Sequence, residues 1–180
     1  YGIIQLINFA HGEIYMIGAF TALIISGVMT LYGVPMLAIF AVALSLAVIF
    51  SMGYGYTIEK MAYKPLRNAP RLSVLISAIG MSIFLQNYVL LAQTSDFLPF
   101  PAMIPDLKFI QPYRHIINSS QVFILGVTAI VMVLLTLLIK YSRMGKAMRA
   151  TSQDKVMSML VGINVNKVVS MTFIIGSATA

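Results

Sequence analysis

Four apolar runs decide what this chain can fold into. Residues 14–31, 36–57, 72–94 and 122–139 are almost unbroken by charge, and a fifth run occupies 168–180. A soluble core of this size could not consume four runs of roughly 20 residues, whereas a bilayer with about 30 Å of hydrocarbon requires runs of that length. The composition agrees: 59% of the 180 residues are hydrophobic, only 9% are charged, and the mean hydropathy is +0.92. Within lipid, only helices and closed barrels satisfy their backbone, and the runs lack the alternation of barrel strands. The expected fold is therefore all-α, a polytopic transmembrane helical bundle with four complete spans and a fifth cut short. One transmembrane domain is expected over 1–180. Because it opens at Tyr1 without a Met and stops inside an apolar run, the sequence reads as a piece incomplete at both ends.

Charge placement sets the topology. Lys60, Lys64, Arg67 and Arg71 fall in the connector 59–71, and Lys140, Arg143, Lys146, Arg149, Lys155 and Lys167 in the connector 140–167, so ten of twelve cations occupy two segments. The intervening segment, 95–121, balances Lys108 and Arg114 against Asp96 and Asp106. The positive-inside rule makes the two basic loops cytoplasmic and the neutral one external. Two spans separate the basic loops, which must then lie on one side of the membrane. The net charge of +7 thus reports orientation rather than nucleic-acid binding.

Ala43, Ala47, Ser51 and Gly55 recur every four residues on the second span. Small residues in such register let helix backbones approach closely in lipid, so this face is expected to pack against another helix. The external segment 95–121 holds four of the seven prolines and is too long for a tight turn. It is expected to form a partly ordered cap, with a short amphipathic helix near 107–118, serving either as a dock for a soluble protein or as a plain lid. The connector 59–71, interrupted by two prolines, is expected to serve topology alone.

The stretch "QLINFAHGEIYM", residues 5–16, raises the sharper question. Ionisable groups within hydrocarbon are expensive and point to function. Gln5, Asn8, Gly12 and Tyr15 share one helical stripe, and Glu13 falls off it. A helix break around Asn8–Gly12 would place Glu13 in the first turn of a new helix, where the dipole favours a carboxylate, as at the half-helix sites of transporters. Alternatively, Glu13 sits at the cytoplasmic membrane surface where the first span begins. Gln86 and Asn87, in the third span, either line a pathway or bond to a neighbouring helix.

"LINFAHGEIYMIGAF" closely resembles the signature of the integral-membrane permease subunits of bacterial branched-chain amino acid ABC importers. "LISAIGMSIFLQNYVLL" and "GKAMRATSQDKVMSMLVGINVNKVVSMTFIIGSATA" resemble later segments of the same family, in the same order. Urea and short-amide permeases of that superfamily share similar wording. The resemblance implies a permease half in the bacterial cytoplasmic (inner) membrane. Its implied partners are a second permease subunit, two cytoplasmic ATPases and a soluble substrate-binding protein. It also implies a translocation pathway near Asn8, His11 and Glu13, with Gln86 and Asn87 as further candidates. No cofactor is expected in this chain, since ATP would be hydrolysed by the partner subunits.

An importer of that kind must receive force from its motor. Residues 150–162 are expected to form one amphipathic helix after Arg149, with Met157, Leu160 and Val161 on one face, Asp154 and Ser158 nearer another, and Gly162 as its stop. In the resemblance this segment stands where the coupling helix docks on the ATPase. The spacing departs from the common Glu-Ala-Ala…Gly pattern, because Ala150 precedes Gly162 by twelve residues. An enzyme is not expected: no HExxH, GxSxG or GxxxxGK[ST] sequence occurs, cysteine is absent, and His11 and Glu13 are poorly spaced for a metal. A self-contained channel would also place polar groups in a bundle but would need no motor dock.

Overall fold

A computed structural model describes residues 9–67, 69–93, 98 and 119–180. Asn8, the proposed external helix near 107–118 and nearly all of the segment 95–121 lie outside the described residues. The described elements are helical: α1 (His11–Leu31), α2 (Met36–Ile58), a π-helical turn (Glu59–Tyr63), α3 (Arg71–Ala92), α4 (Ser119–Tyr141), α5 (Arg143–Gln153), α6 (Lys155–Leu160) and α7 (Val165–Ala178). Four are long and apolar enough to cross a membrane: His11–Leu31, Met36–Tyr63, Leu72–Ala92 and Ser119–Tyr141. α7 is a shorter apolar helix of 14 residues. The chain is thus an all-α, multi-pass membrane protein.

The boundaries follow local chemistry. Gly33, with φ at +66°, closes the turn after α1, and Pro35 precedes α2, where its missing N–H is harmless. Pro70 plays the same part before α3. One expectation needs correction. The second span does not end where the basic connector begins, because the π turn carries the helix on to Tyr63. Within the connector 140–167, where a helix is expected over 150–162, α5 and α6 are found.

The described chain falls into two compact units, Tyr1–Leu98 with Ala147–Ala180, and Pro99–Lys146. In the first, α1 packs on α2, and α2 on α7, around a core that includes Ile14, Ile17, Ile58, Ala62, Ala78 and Phe173. In the second, Gly145 lies against the Ile139 carbonyl with no space for a Cβ, and its N–H donates to Ser142 Oγ at 2.9 Å. No residue in the apolar window of α4 is buried, as suits a helix whose solvent is lipid.

Candidate functional site

Three local arrangements carry the chemistry. The first is at the start of α1. Ala10 offers no side-chain cap, and Glu13 stands in the first turn, where unsatisfied N–H groups favour its charge. Ser82 Oγ donates to Glu13 Oε1 at 2.9 Å, and Gln86 Nε2 donates to the same oxygen at 2.7 Å. Ser82 and Gln86 are four residues apart and so share one face of α3. They lie 11 and 15 residues beyond Arg71, roughly 16 and 22 Å along a helix rising about 1.5 Å per residue.

That register sets the first turn of α1 against the middle of α3. One span, α2, lies between α1 and α3, so a chain that crosses with each span runs α1 and α3 in the same direction. His11 opens the same helix and is partly buried. Asn87 is not drawn in: it is exposed, and its Nδ2 donates to the Ile83 carbonyl of its own helix at 2.8 Å.

The second arrangement is the small-residue stripe of α2. Ala43, Ser51 and Gly55 are buried and Ala47 is partly buried. A Cβ on Gly18 of α1 would come within 2.8 Å of Ser51 Oγ, and one on Gly55 would fall inside the Ser177 side chain of α7. The stripe therefore serves two neighbours, α1 near Ser51 and α7 near Gly55.

The third lies at the basic end of the first unit, and sequence reasoning missed half of it. Glu59 is 1% exposed at the end of α2. Arg67 forms an ion pair with Glu59 Oε1 and also donates to Asn166 Oδ1, while Ser170 Oγ donates to Glu59 Oε2 at 2.8 Å. Ser77 Oγ donates to the Ala62 carbonyl at 3.2 Å, and the rings of Tyr63 and Phe173 meet with centroids 4.8 Å apart. The segment 59–71 thus does more than set topology. The signal available was a lone Glu closing an apolar run, followed eight residues later by Arg67.

Nearby, the single helix expected over 150–162 is two helices. Asp154 has extended backbone (φ −149°, ψ 114°), and its Oδ1 accepts from Val156 N at 2.8 Å and Met157 N at 3.0 Å, so it caps α6 instead of continuing α5. Arg149 lies exposed on α5, on the far side of that break. Gly162, with φ at +84°, ends α6: its N–H donates to Met159 O at 3.0 Å and Ile163 N to Ser158 O at 2.9 Å, a Schellman pair. Asn164 then caps α7 by accepting from Lys167 N at 3.1 Å. Met157, Leu160 and Val161 are exposed together with Val156 and Met159, while Ser158 is buried. Asp154→Ala should remove about 1 kcal/mol of local helix stability. Faster amide hydrogen exchange at Val156 and Met157, with α7 unchanged, is the expected readout.

Among the described residues no group of three or more His, Cys, Asp or Glu is placed to hold a metal ion. No solved structure gives a significant match to the chain. Curated relatives match over all of it. The high-affinity branched-chain amino acid transport system permease protein BraD of Pseudomonas aeruginosa is 47% identical over 186 residues. The proteins named LivH, of the same description, are 43% identical in Salmonella typhimurium and 42% identical in Escherichia coli K12, each over 184 residues. The chain spans 60% of the length of each of these relatives. Residues 1–180 also match a family model described as branched-chain amino acid transport system / permease component. Matched over its whole length, and helical throughout its described elements, the chain belongs to that permease family.

Proposed function

We propose that this chain forms part of the transmembrane permease subunit of an ATP-driven importer of branched-chain amino acids. The observation that carries the reading is α6. Val156, Met157, Met159 and Leu160 on this six-residue helix, and Val161 at its C-terminal cap, are 56–75% exposed, and the helix is held by a cap at each end. A rigid apolar knob among basic residues fits a cleft on a soluble motor. The relatives' names supply leucine, isoleucine and valine as the substrates to test first.

On this reading the whole chain is one permease domain in the bacterial inner membrane, with both basic segments cytoplasmic. It pairs with a second permease, two ATPases and a soluble binding protein, and the ATPases supply all hydrolysis, so the chain itself is no enzyme. Glu13 and Gln86 border the pathway, with Asn8, His11 and Asn87 as further liners. Leucine uptake into vesicles by the full-length protein should require the ATPase pair. Uptake that persists without it would identify a self-contained channel.

The dock makes its own prediction. Proline fixes φ near −65°, incompatible with the positive φ at Gly162, and lysine at 154 removes the acceptor that caps α6. Gly162→Pro and Asp154→Lys should lower ATP-coupled uptake while membrane insertion stays near normal. Normal coupling in both would remove α6 as the dock.

A further inference from the structure

Glu59 and Arg67 have no place in the pathway or the dock, yet burying a carboxylate at 1% exposure is costly unless it is paired and hydrogen-bonded. Glu59 is both. Its two oxygens take separate donors, Arg67 and Ser170, and Arg67 extends its second terminal nitrogen to Asn166. Asn166 and Ser170 lie four apart on one face of α7, in its first two turns. α7 itself begins three residues after Gly162, where α6 stops. On the other side, Glu59 directly continues α2, whose Ser51 meets Gly18 of α1. The ion pair, through its hydrogen bonds to Asn166 and Ser170, therefore joins the segment bearing the exposed apolar knob to the helix that packs on the Glu13-bearing helix.

The choice of bond matters. An apolar contact between helices can slide, whereas a guanidinium fork shared between a carboxylate and an amide fixes register. We infer that Glu59 and Arg67 are positioning residues that lock α2 to the α6–α7 segment, so that displacement of α6 by the motor moves α2, and with it α1, as one body. The inference rests on the importer reading for its motor, but the lock can be tested without transport.

The test uses the complete transporter, assembled from full-length protein with its partner subunits in vesicles. Glu59→Met/Arg67→Met replaces the buried pair by apolar side chains of similar length, a change that often leaves stability intact. Ser170→Ala removes one bond and no charge. The double variant is expected to assemble and hydrolyse ATP while leucine moved per ATP falls roughly tenfold, and Ser170→Ala should show a smaller fall. Spin labels at the exposed positions Thr57 and Lys155 should keep one separation across nucleotide states in the wild type and change separation in the double variant. A wild-type yield of transport per ATP in the double variant overturns the lock. So does a wild-type yield in Ser170→Ala if the double variant fails to assemble. A wild-type complex that moves no leucine but keeps the label separation constant refutes the importer reading and leaves the lock standing; a separation that varies in the wild type refutes the lock.

Discussion

Gly55→Ala is expected to destabilise the bundle by about 3 kcal/mol, the upper end of the range for overpacking a close-packed contact. A Cβ there would fall inside the Ser177 side chain and stand 3.4 Å from the Phe173 carbonyl, so α2 and α7 must separate. Alanine recovers at most about 1 kcal/mol through its better helix propensity, too little to change the sign. Ser177 Oγ is buried and finds no partner among the described residues, so Ser177→Gly alone gives up no hydrogen bond. It loses only about 0.5–1 kcal/mol of helix preference. In the Gly55→Ala background, Ser177→Gly should restore most of the lost stability, because it removes the atoms in conflict. Thermal unfolding of the full-length protein in detergent, for the wild type, both single variants and the double, gives the coupling energy directly. Two additive single effects would mean that the helices do not meet at this pair.

The stripe illustrates what the sequence discloses and what it withholds. Spacing alone identified Ala43, Ala47, Ser51 and Gly55 as one close-packing face, because a four-residue period of small side chains has few other meanings in lipid. It named no neighbour, and the neighbours proved to be two different helices. The spans were legible for the same reason: apolar length is a local property that lipid thickness converts into structure. The break at Asp154 was not legible, because an Asp on the polar face of a continuing helix and an Asp capping a new one look alike in a pattern of side chains. Glu59 drew no reading of its own, because its partner Ser170 lies 111 residues away. Glu13 and Gln86 were each singled out as polar intruders, yet nothing in their separation of 73 residues announced that they touch.

That contact carries the other large effect. Glu13→Lys should abolish most uptake in the assembled transporter, and the argument is one of sign. Glu13 Oε1 accepts two hydrogen bonds, each worth about 1.5–3 kcal/mol when the acceptor is charged. Gln86 is exposed within the bundle, which favours the lower end of that range. The helix dipole contributes a further 0.3–1 kcal/mol, roughly, for an anion in the first turn. Lysine reverses every contribution: it has no acceptor for Ser82 or Gln86, and it sets a cation against the positive end of α1. Leucine removes the bonds without adding repulsion, and glutamine keeps a carbonyl acceptor of the same shape while losing the charge. Uptake should therefore fall in the order wild type, Glu13→Gln, Glu13→Leu, Glu13→Lys. The first step should be a few-fold and the last more than a hundredfold, about 3 kcal/mol at 1.4 kcal/mol per decade. Complex recovered from the membrane should vary far less, because the core residues around Ile14 and Ile17 are untouched. If Glu13→Leu transports like the wild type, the carboxylate merely anchors α1 to α3, and the pathway must be sought along another face of the bundle.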